Sequence, residues 1–286
     1  MPKVVIVTDS TASIPETLID ELNIRWVPYY IHRGQEVLRD LVTAQSDPFY
    51  KWLPTARELP KTASPGPGDY ITLYEQLADE GFSEIVSIHM TSKASGAYQA
   101  AVAARAMVLE TIPKLQIDVI DTLNVSMCHG WMAIEAARLA LAGKGMDQVI
   151  EQVRRMIPVA QMIQTADTLR YLYLGGRIGK AKHLLGSILN IKPLISMKDG
   201  EIVAVGQARS RGEAYRSIAR LVEKAVGNKG KIKIAYMHAA ACEEALKLKE
   251  LVEDRVIAVE SLVCELSPAL GVHSGPGTAG VCYYPV

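Results

Sequence analysis

EIVSIHMTSKASGAYQAAVAARAM, Glu84 to Met107, reads as a buried strand, a short polar turn and the start of a helix. Ile85, Val86, Ile88 and Met90 make an apolar run of strand length, with Gly81 before it and Ser95-Gly96 after it. The alanine-rich run from Tyr98 to Met107 has neither Pro nor Gly, which suits a helix, and Ser95 stands where an N-cap belongs. The turn Thr91 to Gly96 therefore falls at the carboxyl end of a strand and the amino end of a helix. In an open α/β sheet ligands bind at such a point, because free backbone N–H groups and the positive helix end converge there. An anion, or the carboxylate of a larger ligand, is the natural guest. The plainer structural reading is that Ser95 only caps its helix.

Working outward, Lys3 to Val7 is a strand that delivers Thr8-Asp9-Ser10-Thr11 to the same kind of turn, before a helix beginning near Pro15. Asp9 is expected to accept backbone N–H bonds in that turn, a structural rather than a catalytic role. Ile24 to Ile31 reads as a second strand, and His32 to Leu53 as irregular. The Pro- and Gly-rich stretch from Leu59 to Gly68 reads as an exposed or ligand-facing loop leading into a helix over Asp69 to Ala78. Gln116 to Ile120 is a further strand, followed by helices over Ser126 to Leu141 and Asp147 to Met156, with Gly143 and Gly145 between them. Strands alternating with helices at this spacing predict an α/β domain over residues 1–158, a parallel sheet with helices on both faces.

The second half changes character. Val159 to Thr165 is extended, and the leucine spacing of Asp167 to Ile178 suits a helix stopped by Gly175-Gly176. Lys180 to Leu189 reads as an amphipathic helix, and Asp199-Gly200 as a hairpin turn joining strands Lys192 to Met197 and Glu201 to Gln207. Helix Arg211 to Val226, strand Lys231 to Met237, helix Cys242 to Val252 and strand Val256 to Val263 follow, and a tail with Gly275, Gly277 and Gly280 ends in a short strand. Adjacent antiparallel strands mark 159–286 as a second, α+β domain.

Composition narrows the function. Thirty-one basic residues balance 31 acidic ones, so there is no electrostatic footprint for nucleic acid or an anionic membrane. Cys128, Cys242, Cys264 and Cys282 are scattered without a C-x-x-C pair and are expected to be free buried thiols of a reducing cytosol. The amino-terminal apolar run is too short for a secretory core and no stretch reaches transmembrane length, so a soluble cytoplasmic protein is expected. Phosphate loop, dinucleotide fingerprint, H-E-x-x-H and nucleophile elbow are all absent from the sequence. The six histidines are too dispersed to suggest metal, and neither metal nor cofactor is expected. His273 stands out because it opens a Gly-rich segment where backbone approaches a ligand closely.

Individually weak pieces occur in a telling order: Thr8-Asp9-Ser10-Thr11, Thr62 with Ser64-Pro65, Ser95-Gly96 with Tyr98-Gln99, Gly175-Gly176-Arg177-Ile178, Lys192-Pro193-Leu194 and His273-Ser274-Gly275-Pro276-Gly277. That succession, spanning essentially the whole chain, resembles the DegV family of bacterial fatty-acid-binding proteins. The resemblance implies a DegV-like two-domain architecture with one long-chain fatty acid held in a tunnel between the domains. It also implies no catalysis by the protein itself, which would present the acyl carboxylate to a separate ATP-dependent fatty acid kinase, with transient membrane contact for lipid exchange. The family's carboxylate ligands fall on Thr62, Ser95 and His273, with Ser64 and Gly96 beside them, and its partner-facing or head-group arginines on Arg177 and Arg209. The family's usual T-S-Q-P reads Thr62-Ala63-Ser64-Pro65 here, its S-S-x-L-S-G reads Thr91 to Gly96, and an expected Asp-Ser reads Asp121-Thr122.

Chemistry agrees with that assignment. A carboxylate taken out of water needs several donors, which two hydroxyls and an imidazole supply with little fixed charge. Burying the acyl chain contributes about 0.8 kcal/mol per methylene, a gross term of order 10 kcal/mol for a long chain. A bound carboxylate should shift His273 toward its charged form. Substituting Arg177 or Arg209 should leave lipid binding nearly intact and reduce phosphorylation. The competing reading is a serine hydrolase acting on acyl esters through Ser95, His273 and Asp9; a ligand-free structural module is the third.

Overall fold

The computed structural model of the chain describes residues 3–186 and 191–286. The first half runs β1 (Val4–Asp9), α1 (Glu16–Glu21), β2 (Arg25–Val27), β3 (Tyr30–Arg33), β4 (Glu36–Arg39), α2 (Ser46–Trp52), β5 (Lys61–Ala63), α3 (Pro67–Asp79), β6 (Glu84–His89), α4 (Ala97–Thr111), β7 (Gln116–Asp121), α5 (Met127–Leu141) and α6 (Met146–Met156). β1, β2, β6 and β7 form a four-stranded parallel sheet in the order β2-β1-β6-β7. Successive side chains of a strand point to opposite faces, and here both faces are covered. Val5, Val7, Ile85, Ile117 and Val119 pack on Tyr70, Tyr74 and Leu77 of α3 and on the alanine face of α4. Val4, Ile6, Val86, Ile88 and Ile120 join Trp131, Ile134 and their neighbours on α5. Continuous apolar runs such as VVIV in β1 are the sequence mark of that double burial.

The second half runs β8 (Gln161–Thr165), α7 (Arg170–Leu174), a 3₁₀ segment (Gly179–Gly186), β9 (Lys192–Lys198), β10 (Glu201–Ala208), α8 (Arg211–Val226), β11 (Lys231–His238), α9 (Cys242–Glu253), β12 (Ile257–Glu265), α10 (Pro268–Ser274) and β13 (Ala279–Pro285). Its six strands form one mixed sheet, β10-β9-β8-β13-β11-β12, in which only β11 and β12 are parallel. α8 and α9 cover one face through Tyr215, Ile218, Val222, Leu248 and Val252. The other face, with Met162, Met237, Cys282 and Tyr284, belongs to the same core as α5. α5 therefore lies between the two sheets. Most of its surface is apolar for that reason, with Glu135 and Arg138 making ion pairs along one edge, and the Trp131 indole donates to the Cys282 carbonyl at 3.1 Å.

Several expectations change. The run Ile24 to Ile31 is two strands in two sheets: β2 pairs with β1, whereas β3 pairs with β4 and β5 in a small antiparallel sheet. Pro28, which has no amide donor, stands at the break. The segment read as irregular, His32 to Leu53, holds β4 and α2. The Pro- and Gly-rich loop contains β5, an edge strand that pairs Thr62 with Ile31, and α3 starts earlier, at Pro67. Lys180 to Leu189 is not an α-helix where described: Gly179–Gly186 is 3₁₀, and the rest of that span lies outside the described residues. The tail holds a helix, α10, that the glycines conceal. Cys242 is exposed; the other three thiols are buried and free. No helix among the described residues is long and apolar enough to cross a membrane.

Candidate functional site

A cavity of about 800 Å³, counting the part open to solvent, lies where the two sheets and the small antiparallel sheet meet. Met90, Val125, Met162, Leu172, Ile202, Leu266 and Leu270 give it apolar walls, and Thr62, Ser64, Ser95, Gly96, Arg177 and His273 lie in its lining. Six of the seven residues singled out in the sequence thus meet at one cavity, although they come from four separate segments. Arg209 does not line it; this residue is exposed between β10 and α8, where its backbone N–H donates to Glu213.

Each residue arrives for a local reason. Thr62 is held by the edge strand β5 opposite Ile31. Ser95 lies in the turn after β6, and it is Gly96, not Ser95, that occupies the N-cap of α4. Ser95 still serves the helix, because its Oγ accepts from the Ala97 N–H at 3.2 Å, but the same oxygen lies 2.6 Å from the Tyr29 hydroxyl. His273 is in the last turn of α10, which Ser267 caps and which ends at Gly275 with φ 77°. Its Nε2 is 2.8 Å from Thr62 Oγ1. Enclosure of the ring, together with the positive charge of Arg177, pushes His273 down to about 4 from the ordinary histidine value, so the imidazole is neutral at pH 7. Arg177 donates to the carbonyl of Gly175 at 2.8 Å and to that of Ala94 at 3.5 Å, clipping the tail of α7 to the turn that carries Ser95.

Two glycines are required by contact. A Cβ on Gly175 would lie 2.3 Å from His273 Nδ1. A Cβ on Gly200, whose φ is +80°, would lie 2.6 Å from Thr91 Oγ1, and the Thr91 hydroxyl donates to the Gly200 carbonyl at 2.9 Å. The β9–β10 hairpin tip is thereby seated on the turn after β6.

Behind the cavity lies a buried polar group that sequence reading did not assemble. Asp9 accepts from the Thr11 N–H at 3.1 Å and from the Thr11 hydroxyl, and His89 Nδ1 donates to its other oxygen at 2.9 Å. Burial alone would raise this carboxyl, but His129 and His89 outweigh it and hold Asp9 well below the usual carboxylate range. The backbone N–H bond is the structural role expected of Asp9. Asp9 is thus engaged with Thr11 and His89, while Ser95 is bonded to Tyr29 and His273 to Thr62, so the hydrolase triad is not assembled. Among the described residues no group of three metal-ligating side chains is placed to hold an ion. Thr11 and Tyr29 line the cavity too; Thr11 belongs to the Thr8-Asp9-Ser10-Thr11 turn singled out in the sequence, whereas nothing near Tyr29 marks it.

Fold and site define an α/β protein with two sheets sharing a core and a mostly apolar cavity that carries hydroxyls and a neutral imidazole on its wall. The profile of the DegV family, described as uncharacterised proteins, matches residues 3–286, and the chain belongs to this family. It is 31% identical over 283 residues to a DegV domain-containing protein of Caldanaerobacter subterraneus subsp. tengcongensis, covering 99% of each chain. It is 34% identical over 281 residues to one from Streptomyces coelicolor, covering 97% of each. Among solved structures, a DegV family protein from Thermus thermophilus described as fatty-acid-binding superposes with a TM-score of 0.92 at 28% identity, covering 99% of each chain. DegV of Bacillus subtilis, described as a fatty acid binding protein, gives 0.87 at 28% identity, again over 99% of each.

Proposed function

We propose that the protein binds a long-chain fatty acid in this cavity, its carboxylate held by Thr62, Ser95 and His273 with Ser64 and Gly96 beside them. The observation that carries the reading is the convergence of two hydroxyls and a neutral imidazole, from β5, the turn after β6 and α10, on a cavity with mostly apolar walls. The fatty-acid-binding relatives at 28% identity support it. The division of the chain at 158 and 159 belongs to the same proposal: Thr62 and Ser95 come from the first part, Arg177 and His273 from the second. The acyl chain supplies most of the affinity by burial, and the hydroxyl donors orient the head group. In the tautomer with its proton on Nε2, His273 donates to Thr62, which leaves the Thr62 proton free to face the carboxylate, so that His273 holds the head group through Thr62.

The protein in this reading is a cytoplasmic carrier rather than an enzyme, and presents its ligand to a separate fatty acid kinase for conversion to acyl phosphate. Arg209, exposed and away from the cavity lining, is suited to contact that partner, and Arg177 reaches both surface and cavity. The decisive experiment is native mass spectrometry of the purified protein, then denaturation with organic extraction. A long-chain fatty acid at near one-to-one occupancy, reduced by Ser95→Ala or His273→Ala, is expected. Folded protein that stays empty after incubation with a fatty acid mixture would overturn the reading.

A further inference from the structure

We infer that Tyr29 is a positioning residue that turns the Ser95 hydroxyl proton into the cavity, so that Ser95 meets a ligand only as a donor and the site favours a carboxylate over the alcohol of the same chain. The inference rests on the fatty-acid reading above. Tyr29 reaches the cavity because the chain breaks at Pro28 and crosses between sheets; its side chain is 5% exposed. Its hydroxyl lies 2.6 Å from Ser95 Oγ.

A serine hydroxyl has one proton and two lone pairs. The Ala97 N–H occupies one lone pair at 3.2 Å. If Tyr29 donates, the second is filled and the Ser95 proton is the only function left for a ligand. If Ser95 donated instead, the phenol proton would need another acceptor. Thr11, the other hydroxyl beside the phenol, gives its own proton to Asp9 and keeps lone pairs that could accept, but the hydrogen bond of the Tyr29 hydroxyl is to Ser95, at 2.6 Å, so a Ser95 that donated would leave the buried phenol proton without this partner. A phenol is also the stronger acid of the two hydroxyls, which favours its donating. Burial and then the charge of Asp9 raise the Tyr29 phenol well above its ordinary value, so the proton it gives to Ser95 is present throughout the physiological range. Asp9, itself ionised, thus supports from behind the wall a donor that points away from it.

The consequence is selectivity. A carboxylate accepts from Ser95 through either oxygen and brings no proton, whereas an alcohol can accept there too but finds no lone pair on Ser95 for its own proton. The test compares a saturated fatty acid with the alcohol of equal chain length, by displacement of a fluorescent fatty acid, in wild type, Tyr29→Phe, Ser95→Ala and the double variant, with thermal unfolding of each. Tyr29→Phe is expected to weaken the acid about tenfold while leaving alcohol binding unchanged or improved. The double variant should be no worse than Ser95→Ala alone. Incorporating 3-fluorotyrosine at position 29, which keeps the ring and its proton, should retain the preference for the acid. An acid-to-alcohol ratio unchanged in Tyr29→Phe, or single effects that multiply in the double variant, would overturn the inference while leaving fatty acid binding intact. A wild type that binds neither compound would instead overturn the fatty-acid reading and this inference with it.

Discussion

Replacing Gly175 with alanine isolates the contact that holds the imidazole in place. Gly175 has φ −75°, a value any residue adopts, so its need for hydrogen in place of a methyl is steric. The new carbon would lie 2.3 Å from His273 Nδ1 and 3.0 Å from the Tyr171 carbonyl oxygen. Relaxing the first contact to about 3.5 Å requires the ring to move about 1.2 Å. The 2.8 Å bond between His273 and Thr62 would then open to about 4 Å, beyond hydrogen-bond range. Overpacking and the lost bond together are expected to destabilise the fold by about 2–4 kcal/mol. Fatty acid affinity should fall about tenfold or more as Thr62 loses its orientation. Thermal unfolding and displacement of a fluorescent fatty acid measure the two effects separately. Gly176→Ala is the control: φ there is +71° with nothing within 4 Å of the added carbon, so it should cost about 1 kcal/mol and leave affinity unchanged. Should Gly175→Ala bind within twofold of wild type, the close approach has no bearing on the head-group site.

Two further predictions concern pH. His273 stands at about 4 in the folded protein, below its unfolded value near 6.5, so its contribution is complete above pH 6.5 and is lost as pH falls toward 4. At most about 3 kcal/mol is involved; His273→Asn should flatten the unfolding midpoint between pH 7 and 4.5 relative to wild type, and parallel profiles would contradict this. Asp40 has the opposite sign. Burial raises it to about 6 despite hydrogen bonds from Ser10 and the Ala269 N–H, so its contribution is present at low pH and disappears as pH rises through 6. Asp40→Asn should therefore gain on wild type by up to about 3 kcal/mol between pH 4 and 7.5, in denaturant titrations at the two pH values; a constant difference would show that the carboxyl does not ionise at a cost.

Local signals made much of this fold legible. Helix α8 begins and ends where it was expected, because Ser210 accepts from the Glu213 N–H and Gly227 follows the last turn. The β9–β10 hairpin was written in Asp199-Gly200, both with positive φ. The failures were places where tertiary context prevailed. The apolar run through Ile24 to Ile31 carries strand propensity throughout, and only pairing partners decide that it serves two sheets. α10 has its signals in Ser267 and Pro268, but its short span is masked by the glycines after it. Thr62, Ser95 and His273 could be named together only from the ordered succession of motifs, since no spacing joins Thr62 to His273. Tyr29 was illegible for a related reason: its partner is 66 residues away, and a tyrosine in the link between two strands gives no sign of where its hydroxyl ends.

The position of α5 bears on how the chain can be cut. Because Trp131 and its neighbours face one sheet on one side and the other sheet on the other, neither half is a finished object. A fragment ending near 158 would carry α5 with one flank bare, and a fragment beginning there would present Met162, Met237, Cys282 and Tyr284 to water. The cavity opens between parts that differ in sheet and in sequence yet share one core, and its walls gain from that a rigidity that a hinge between independent domains would not give them.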